Sequence, residues 1–409
     1  MRKLRATYHL YGYHLPLLIA FLLPFGLNYS PLIILWSLSF FVLDDFKTGL
    51  RKVLSNGWSF LLLTFFMIHV AGYFFADNKA EAITAIEIKL CFLAFPLLIY
   101  SSSYENLQVK KVFISFVSGC VLVCLFYLFR AGFLYFFNDV NAFYYTEFSF
   151  FMHPGYFSMY LVFAQLIVIM FYPAWLRHLS NLNVKIGFIS ILFITCIFLC
   201  SSKMGLLSAL LLIPITISIL LFRLGYKKFI VFFASAVLLT IMFSYQFFPK
   251  PFERITQAVR VTSSAKSIDK ADGESTAVRI LIWRESLKII KENFIFGTSP
   301  GDANDALVQA YTTEGMTGAL EKKLNAHNQF LQTFIGTGLI GFILLWLFTF
   351  GAFIYAIIKK NFALSLFSIL IILNFLIESM LQAQAGFLFF VFFFCFLTRY
   401  NVHKLNTEA

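Results

Sequence analysis

Long apolar runs fill most of this chain, and one polar segment, residues 249–326, interrupts them. Most runs are about 18–28 residues long, which is the length at which a helix crosses a bilayer. Their apolar residues are continuous rather than alternating, which favours helices over the strands of a membrane barrel. We therefore predict an all-α polytopic membrane protein with about twelve transmembrane helices. The predicted spans are residues 13–27, 31–43, 57–76, 83–100, 110–137, 149–172, 185–201, 204–222, 228–248, 328–358, 362–380 and 384–399.

Basic residues in the short loops predict the orientation. They concentrate in alternate loops, while the loops between these hold little more than Lys79 and Lys203. Because cytoplasmic loops carry an excess of Lys and Arg, the N-terminus is predicted inside and segment 249–326 on the extracytoplasmic face. The basic loops contain Arg2, Lys3 and Arg5; Lys47, Arg51 and Lys52; Lys110 and Lys111; Arg177 and Lys185; Arg223, Lys227 and Lys228; Lys359 and Lys360; Arg399 and Lys404.

The composition agrees with a membrane protein. Hydrophobic residues make up 60% of the chain and charged residues 13%, whereas soluble domains have roughly 45–50% and 25%. The net charge of +12 is explained by the cytoplasmic loops, so we predict no nucleic-acid partner. All six cysteines fall inside apolar runs, where they are expected to be buried reduced thiols. No small-residue cleavage site follows the basic N-terminus, so no cleavable signal is predicted.

The polar segment is nearly neutral, with 11 Lys or Arg residues against 10 Asp or Glu residues. A site for an anion must therefore depend on selected cations. Ser275 or Thr276 is expected to start a helix that runs to about Lys291. Its apolar stripe is Val278, Ile282, Ile289 and Ile290, with Ser286 among them, and its solvated face holds Arg284, Lys288 and Lys291. Arg279 projects on the apolar side, which makes it the unusual cation of this helix.

Beyond this helix, the sequence Phe296-Gly-Thr-Ser-Pro-Gly301 predicts a turn. A second helix is expected at about 302–323. It precedes His327, which opens the tenth predicted span.

The side chain of His327 has two possible roles. It could be an interfacial histidine that donates to a backbone carbonyl, or a general base, because imidazole titrates near neutrality. Asn328 follows it directly. Glu378, at the outer end of the eleventh predicted span, could orient His327 or neutralise an arginine. No metal-binding motif appears in the sequence.

Several cations could bind an anion. Arg279 and Trp283 lie four residues apart on one helical face, as a cation–π pair or with the arginine as a phosphate clamp. Arg254 and Arg260 follow the ninth span, where they could contact a lipid phosphate or only anchor the helix end.

Four other polar residues lie in or beside predicted spans. Lys203 sits at an outer turn that positive-inside logic disfavours for a cation. His153 begins the sixth span on the same face, where it could line an acceptor groove or only shape the helix start. Lys89 and Arg130 fall inside or near the ends of spans, as functional charges or as side chains that snorkel to the interface.

These residues resemble the O-antigen ligase family, which includes lipopolysaccharide O-antigen ligases and Wzy-type polymerases. The resemblance covers roughly residues 185–350, so we divide the chain into N-terminal transmembrane helices, 1–184, and a ligase-like region, 185–409. The matching sequences are Ser201-Ser-Lys-Met-Gly205, Arg279-x-x-x-Trp283 with Phe296-Gly-Thr-Ser-Pro-Gly301, and His327-Asn328-x-x-Leu331 leading to Gly338-Leu-Ile-Gly341.

The resemblance implies a metal-independent, inverting glycosyltransferase of the GT-C type, without a cofactor, in the bacterial inner membrane. Its donor would be a glycan on undecaprenyl diphosphate, and its acceptor a sugar hydroxyl on lipid A–core or on another repeat unit. His327 would activate that hydroxyl, and Arg279 with Arg254 or Arg260 would hold the diphosphate. Where the family often has Arg, Lys203 keeps the charge without the bidentate fork.

Other functions stay open. A polymerase would use the same chemistry on a glycan acceptor. A transporter of lipid-linked glycan would favour charges deep in the spans and two similar halves. A non-catalytic assembly protein would tolerate the loss of His327.

Overall fold

The computed structural model describes residues 14–42, 46–102, 106–176, 179–226, 270–271 and 276–400. These residues form helices, turns and irregular segments, and contain no strand. The N-terminal helices are α1 His14–Phe25, α2 Ser30–Val42, α3 Phe46–Ser55, α4 Gly57–Phe75, α5 Lys79–Lys89, α6 Cys91–Ser101, α7 Asn106–Asn138, α8 Tyr145–Phe148, α9 Pro154–Trp175, α10 Leu182–Cys200 and α11 Lys203–Arg223. The C-terminal helices are α12 Thr276–Glu292, α13 Ala303–Glu314, α14 Thr317–Glu321, α15 Gln329–Trp346, α16 Ala352–Ile358, α17 Phe362–Phe375 and α18 Gln384–Arg399.

Seven helical stretches of the described residues are long and apolar enough to cross a membrane, and three further apolar helices, α1, α17 and α18, are shorter. The predicted all-α polytopic class is therefore confirmed. The predicted ninth span, 228–248, lies outside the described residues. The seven stretches are Gly57–Phe75, Lys79–Ser101, Gln108–Asn138, Pro154–Trp175, Leu182–Cys200, Lys203–Arg223 and Gln329–Ile358.

The chain forms two compact units. Unit one comprises the described residues of Ile33–Ser103 and Gln257–Tyr400, and unit two those of Ala6–Leu32 and Tyr104–Thr256. None of the boundaries between these ranges coincides with the predicted division at residue 184, which stays a prediction.

Unit two is built around α9, which packs against α7, α10 and α11. The predicted span 149–172 starts later than expected, at Pro154, because His153 caps the helix and proline is suited to its first position. In the same unit, Arg130 donates to the carbonyl oxygen of Glu147 at 2.7 Å and lies over the Phe150 ring. Arg130 therefore links α7 to α8 and to the residues that follow α8.

Unit one has a core rich in phenylalanine, in which α4, α6 and α18 pack together. The rings of Phe65 and Phe92 lie 5.0 Å apart, and Trp58 makes edge contacts with Tyr355 and Phe394. All six cysteines of the chain are unpaired and buried, as predicted.

Helix α12 confirms the predicted helical phase. Val278 and Ile282 are buried, and Arg284, Lys288 and Lys291 are exposed. Lys288 pairs with Glu314 at 2.8 Å and with Glu285, and the hydrogen bond to Glu314 raises the pKa of Lys288.

The predicted single helix 302–323 is wrong, because the structure has two helices, α13 and α14. Gly315 takes a left-handed conformation, φ 66°, and ends α13. Tyr311 and Leu307 of α13 are fully buried against α12. The polar segment thus has a small core of its own.

The predicted span 328–358 is helical but broken at Gly338, whose φ of 61° and ψ of −159° are not helical. At this break the amide of Leu339 donates to the carbonyl oxygens of Phe294 and Ile295 instead of to Ile335. The carbonyl of Ile335 accepts from the amide of Thr298 at 2.7 Å. The backbone of residues 294–298, which leads into the predicted turn 296–301, is therefore inserted into the hydrogen-bond ladder of α15.

This insertion requires glycine. A Cβ on Gly338 would lie 2.2 Å from the carbonyl oxygen of Ile295, and one on Gly297 would lie 2.5 Å from that of Ile335. Both glycines have positive φ, which disfavours other residues. Two sequence motifs, 296–301 and 338–341, thus meet through their backbones.

We expect Gly338→Ala to destabilise the protein by about 3 kcal/mol or more, because the clash involves backbone atoms and the conformation disfavours a side chain. Thermal unfolding of the purified protein in detergent would measure the effect. Gly57→Ala is the matched control, since its Cβ would meet no atom within 4 Å. Equal unfolding temperatures for the two variants would contradict this account of the break.

Asp302 joins the turn before α13 to the turn between α4 and α5. Its carboxylate accepts from the amides of Asn78 at 2.8 Å and Asp77 at 3.0 Å, and from the hydroxyl of Ser299. Partial burial raises the pKa of Asp302, but the bonds to Asn78, Asp77 and Ser299 outweigh it and the pKa is lowered overall. The ionised carboxylate is thus the form that the fold favours.

A lowered folded-state pKa means that Asp302 stabilises the fold above the unfolded value of about 3.9, and that this stabilisation is lost as pH falls through the folded pKa. We expect Asp302→Asn to lower stability by about 1–3 kcal/mol at neutral pH. The gap to wild type should close as the pH is lowered below 4. Unfolding temperatures from pH 7 to pH 3 would test this, with the exposed Glu292→Gln as control; a gap independent of pH would contradict it.

Candidate functional site

The candidate site lies in unit one, where α15 begins. Asn328 caps this helix, because its side-chain oxygen accepts from the amides of Phe330 and Leu331 at 2.9 and 3.1 Å. His327 precedes the cap with a positive φ of 44°, which is uncommon for a residue other than glycine. Its amide donates to the side-chain oxygen of Asn325 at 2.9 Å. A strained backbone held by polar contacts fixes where the imidazole points.

Glu378 lies against the imidazole of His327. One carboxylate oxygen is 3.3 Å from Nδ1 and the other 3.5 Å. An ionised carboxylate only accepts hydrogen bonds, so this contact favours the tautomer with its proton on Nδ1. In that tautomer Nε2 carries the lone pair and is the basic atom of the ring.

Arg279 lies on the other side of Glu378. Its Nη1 donates to the carbonyl oxygen of Ile377 at 3.0 Å, and its Nη2 is 3.7 Å from Oε2 of Glu378. The side chain of Arg279 is 26% exposed and that of Glu378 is 31% exposed. The guanidinium is therefore partly open to a ligand while it contacts the carboxylate.

Trp283 supports the position of His327 by holding the residue before it. Its indole Nε1 donates to the carbonyl oxygen of Ala326 at 3.0 Å. The amide of Ala326 donates to the side-chain oxygen of Gln332 at 2.8 Å. Both polar groups of the residue before His327 are thus held by side chains.

The segment 376–382, which carries Glu378, is not a continuation of a helix. The eleventh span was predicted to reach residue 380, but α17 ends at Phe375. Side chains supply several of the hydrogen bonds here: the Asn328 side chain donates to the Leu376 carbonyl, and Gln329 accepts from the Leu381 amide at 2.7 Å. The backbone amide of Asn328 donates to the Ser379 hydroxyl. Sequence reasoning missed Gln329 and Gln332. The available signal was two glutamines, three residues apart, on the first turn of an apolar span.

The cluster therefore brings together His327, Glu378, Arg279, Trp283 and Asn328. Lys203 and His153 belong to unit two. Lys203 is the half-buried first residue of α11, whose cap is Ser202.

His153 accepts from the amide of Gly155 through Nδ1 at 3.1 Å, which agrees with the helix-shaping role weighed above. Arg254 and Arg260 lie outside the described residues. Within the described ranges, no group of three or more His, Cys, Asp or Glu side chains is placed to hold a metal ion.

Fold and cluster together define a polytopic helical membrane protein. In it a histidine, a carboxylate and an arginine from three different segments meet where α15 begins. Residues 188–346 match the family model described as O-antigen ligase. This match contains Lys203, Arg279 and His327, and it confirms the resemblance to the O-antigen ligase family over this segment. No curated protein matches the chain.

Proposed function

We propose that this protein is an O-antigen ligase-like glycosyltransferase that moves a glycan from undecaprenyl diphosphate to a sugar hydroxyl of lipid A–core. The family match supports this class of reaction. The observation that carries the proposal is the contact of Glu378 with Nδ1 of His327 at 3.3 Å. A histidine held in this way presents Nε2 as a general base.

In the proposed reaction, Nε2 of His327 takes the proton of the acceptor hydroxyl while that oxygen attacks the anomeric carbon of the donor sugar. The bond between this carbon and the diphosphate oxygen breaks, and undecaprenyl diphosphate leaves with the electron pair. Attack opposite the leaving group inverts the anomeric centre. Glu378 stabilises the imidazolium that forms, because its carboxylate faces the protonated Nδ1.

Arg279 is proposed to hold the diphosphate and to stabilise its developing charge. Its planar guanidinium has five N–H donors, and the contacts with Ile377 and Glu378 leave others for phosphate oxygens. Arg254 or Arg260, and Lys203, are proposed to add positive charge. With these cations the reaction needs neither metal nor cofactor.

We place the protein in the bacterial inner membrane with this site facing the periplasm, and its fold in the GT-C type. The excess of Lys and Arg in the loops on the other face supports the orientation. A Wzy-type polymerase is the alternative with the same donor and the same roles for these residues; only the acceptor hydroxyl differs. A transporter of lipid-linked glycan or an assembly protein would not need the His327 base.

We expect His327→Ala to lower the transfer rate about 100- to 10,000-fold, the usual contribution of a general base, while the protein stays folded. The assay follows transfer from a glycan on undecaprenyl diphosphate to lipid A–core by the purified protein, in excess chelator. His14→Ala, at an exposed histidine of α1, is the matched control. Full activity of His327→Ala would refute the general-base role, and loss of wild-type activity in chelator would refute the metal-free mechanism.

The glycan profile of a deletion strain separates the two acceptors. Loss of a ligase should leave lipid A–core without O-antigen, because no glycan reaches the core. Loss of a polymerase should leave core with a single repeat unit. We expect the first profile, measured by gel electrophoresis of the lipopolysaccharide. The second profile would assign the chain to the polymerases.

A further inference from the structure

Lys89 is a cation inside an apolar helical stretch, and its side chain is buried. It is the last residue of α5, within the candidate span Lys79–Ser101, and only 2% of it is exposed. Its ammonium donates to the carbonyl oxygen of Leu381 at 2.6 Å. The snorkelling interpretation of Lys89 is therefore wrong. A buried charge is costly, so its retention calls for a specific interaction.

A small polar cavity lies beside this ammonium. Its volume is about 30 Å³, and its lining includes Lys89, His69, Asn304, Gln332 and Thr333. Nδ1 of His69 lies 2.9 Å from the carbonyl oxygen of Phe65, so it carries the proton and leaves Nε2 as an acceptor. A polar cavity of this size accommodates one or two water molecules. Such water would solvate the ammonium hydrogens that do not contact Leu381.

Leu381 is held from two sides. Lys89 donates to its carbonyl oxygen, and Gln329, which also lines the cavity, accepts from its amide at 2.7 Å. Residues 379–382 form a turn that follows Glu378 and contains Leu381, in which the amide of Gln382 donates to the carbonyl of Ser379 at 3.0 Å. The contact with Lys89 therefore lies three residues from the carboxylate that faces His327.

We propose that Lys89 is a positioning residue: through Leu381 it fixes segment 376–382 so that Glu378 stays against His327 and Arg279. This inference rests on the proposed glycosyl transfer, in which Glu378 orients the base. Without the ammonium, the buried carbonyl of Leu381 has lost its donor and the segment relaxes. A displacement of about 1 Å at a catalytic group can cost about 100-fold in rate.

The first experiment measures transfer kinetics of the purified full-length protein. Lys89→Met keeps the length of the side chain and removes the donor. We expect it to lower kcat about 10- to 100-fold with little change in KM, because substrate contacts are intact. Lys89→Arg should recover much of the rate, since it keeps a charged donor and the adjoining cavity offers room. Ser59→Ala, at a buried residue of the same unit whose hydroxyl has no partner, is the matched control and should leave kcat unchanged.

A coupling test asks whether Lys89 acts through Glu378. If it does, the fold-losses in kcat caused by Lys89→Met and by Glu378→Gln should not multiply. The double variant should then be about as slow as Glu378→Gln alone. Independent, multiplying effects would overturn the proposal. Wild-type kcat in Lys89→Met, beside an inactive His327→Ala, would also overturn it while leaving the proposed reaction standing. An active His327→Ala would instead refute the reaction.

A structural readout keeps the proposal testable if Lys89→Met folds poorly. Gln329→Leu releases the Leu381 amide from the other side and leaves the lysine in place. In either variant, the rate of amide hydrogen exchange should rise in segment 376–382 before it rises in α12. Uniformly faster exchange in both variants would mean that Lys89 and Gln329 support only the fold, and would overturn the positioning role.

Discussion

Segment 376–382 makes only part of its backbone hydrogen bonds as a helix would. The backbone groups that are left over lie among apolar helices and need side chains as partners, and this constraint acts on unit one. Arg279 donates to the backbone carbonyl of Ile377, and Asn328 donates to that of Leu376. At Leu381, Lys89 donates to the carbonyl and Gln329 accepts from the amide. Unsatisfied polar groups are expensive in such surroundings. Residues far apart in the chain are thereby tied to one short segment. That segment carries Glu378, so the requirement of the backbone also places the carboxylate.

A second constraint acts on α15. The turn 296–301 replaces one backbone hydrogen bond of this helix, and Gly297 and Gly338 permit the close approach. Trp283 and Gln332 then hold Ala326 at the start of the same helix. His327 is thus fixed from the polar segment on one side and from segment 376–382 on the other. Its positive φ is sustained because both neighbours of the residue are held.

Helical periodicity predicted α12 well, since a 3.6-residue repeat separates Arg279 from the exposed Arg284 and Lys288 without tertiary information. Hydropathy overestimated the length of α17, which ends at Phe375, because residues 376–380 are mostly apolar although side chains supply some of their backbone hydrogen bonds. The contact of Lys89 with Leu381 joins residues 292 apart in sequence, which no local pattern reveals. The spacing of Arg279 and Trp283 suggested a pair, but the indole N–H also needed an acceptor, and Ala326 provides it.

The charges of the cluster suit the proposed reaction at each stage. With His327 neutral, Arg279 and Glu378 cancel, so the three groups together carry no net charge before transfer. When His327 takes the acceptor proton, the cluster becomes positive by one unit. Negative charge grows on the leaving diphosphate at the same moment, and Arg279 is the member of the cluster proposed to face it. In the proposed reaction Glu378 serves both partners: it compensates the charge of Arg279 before transfer, and it stabilises the imidazolium once the proton has moved. A site that gains its positive charge during the reaction favours the transition state over the bound substrates, which is the condition for acceleration.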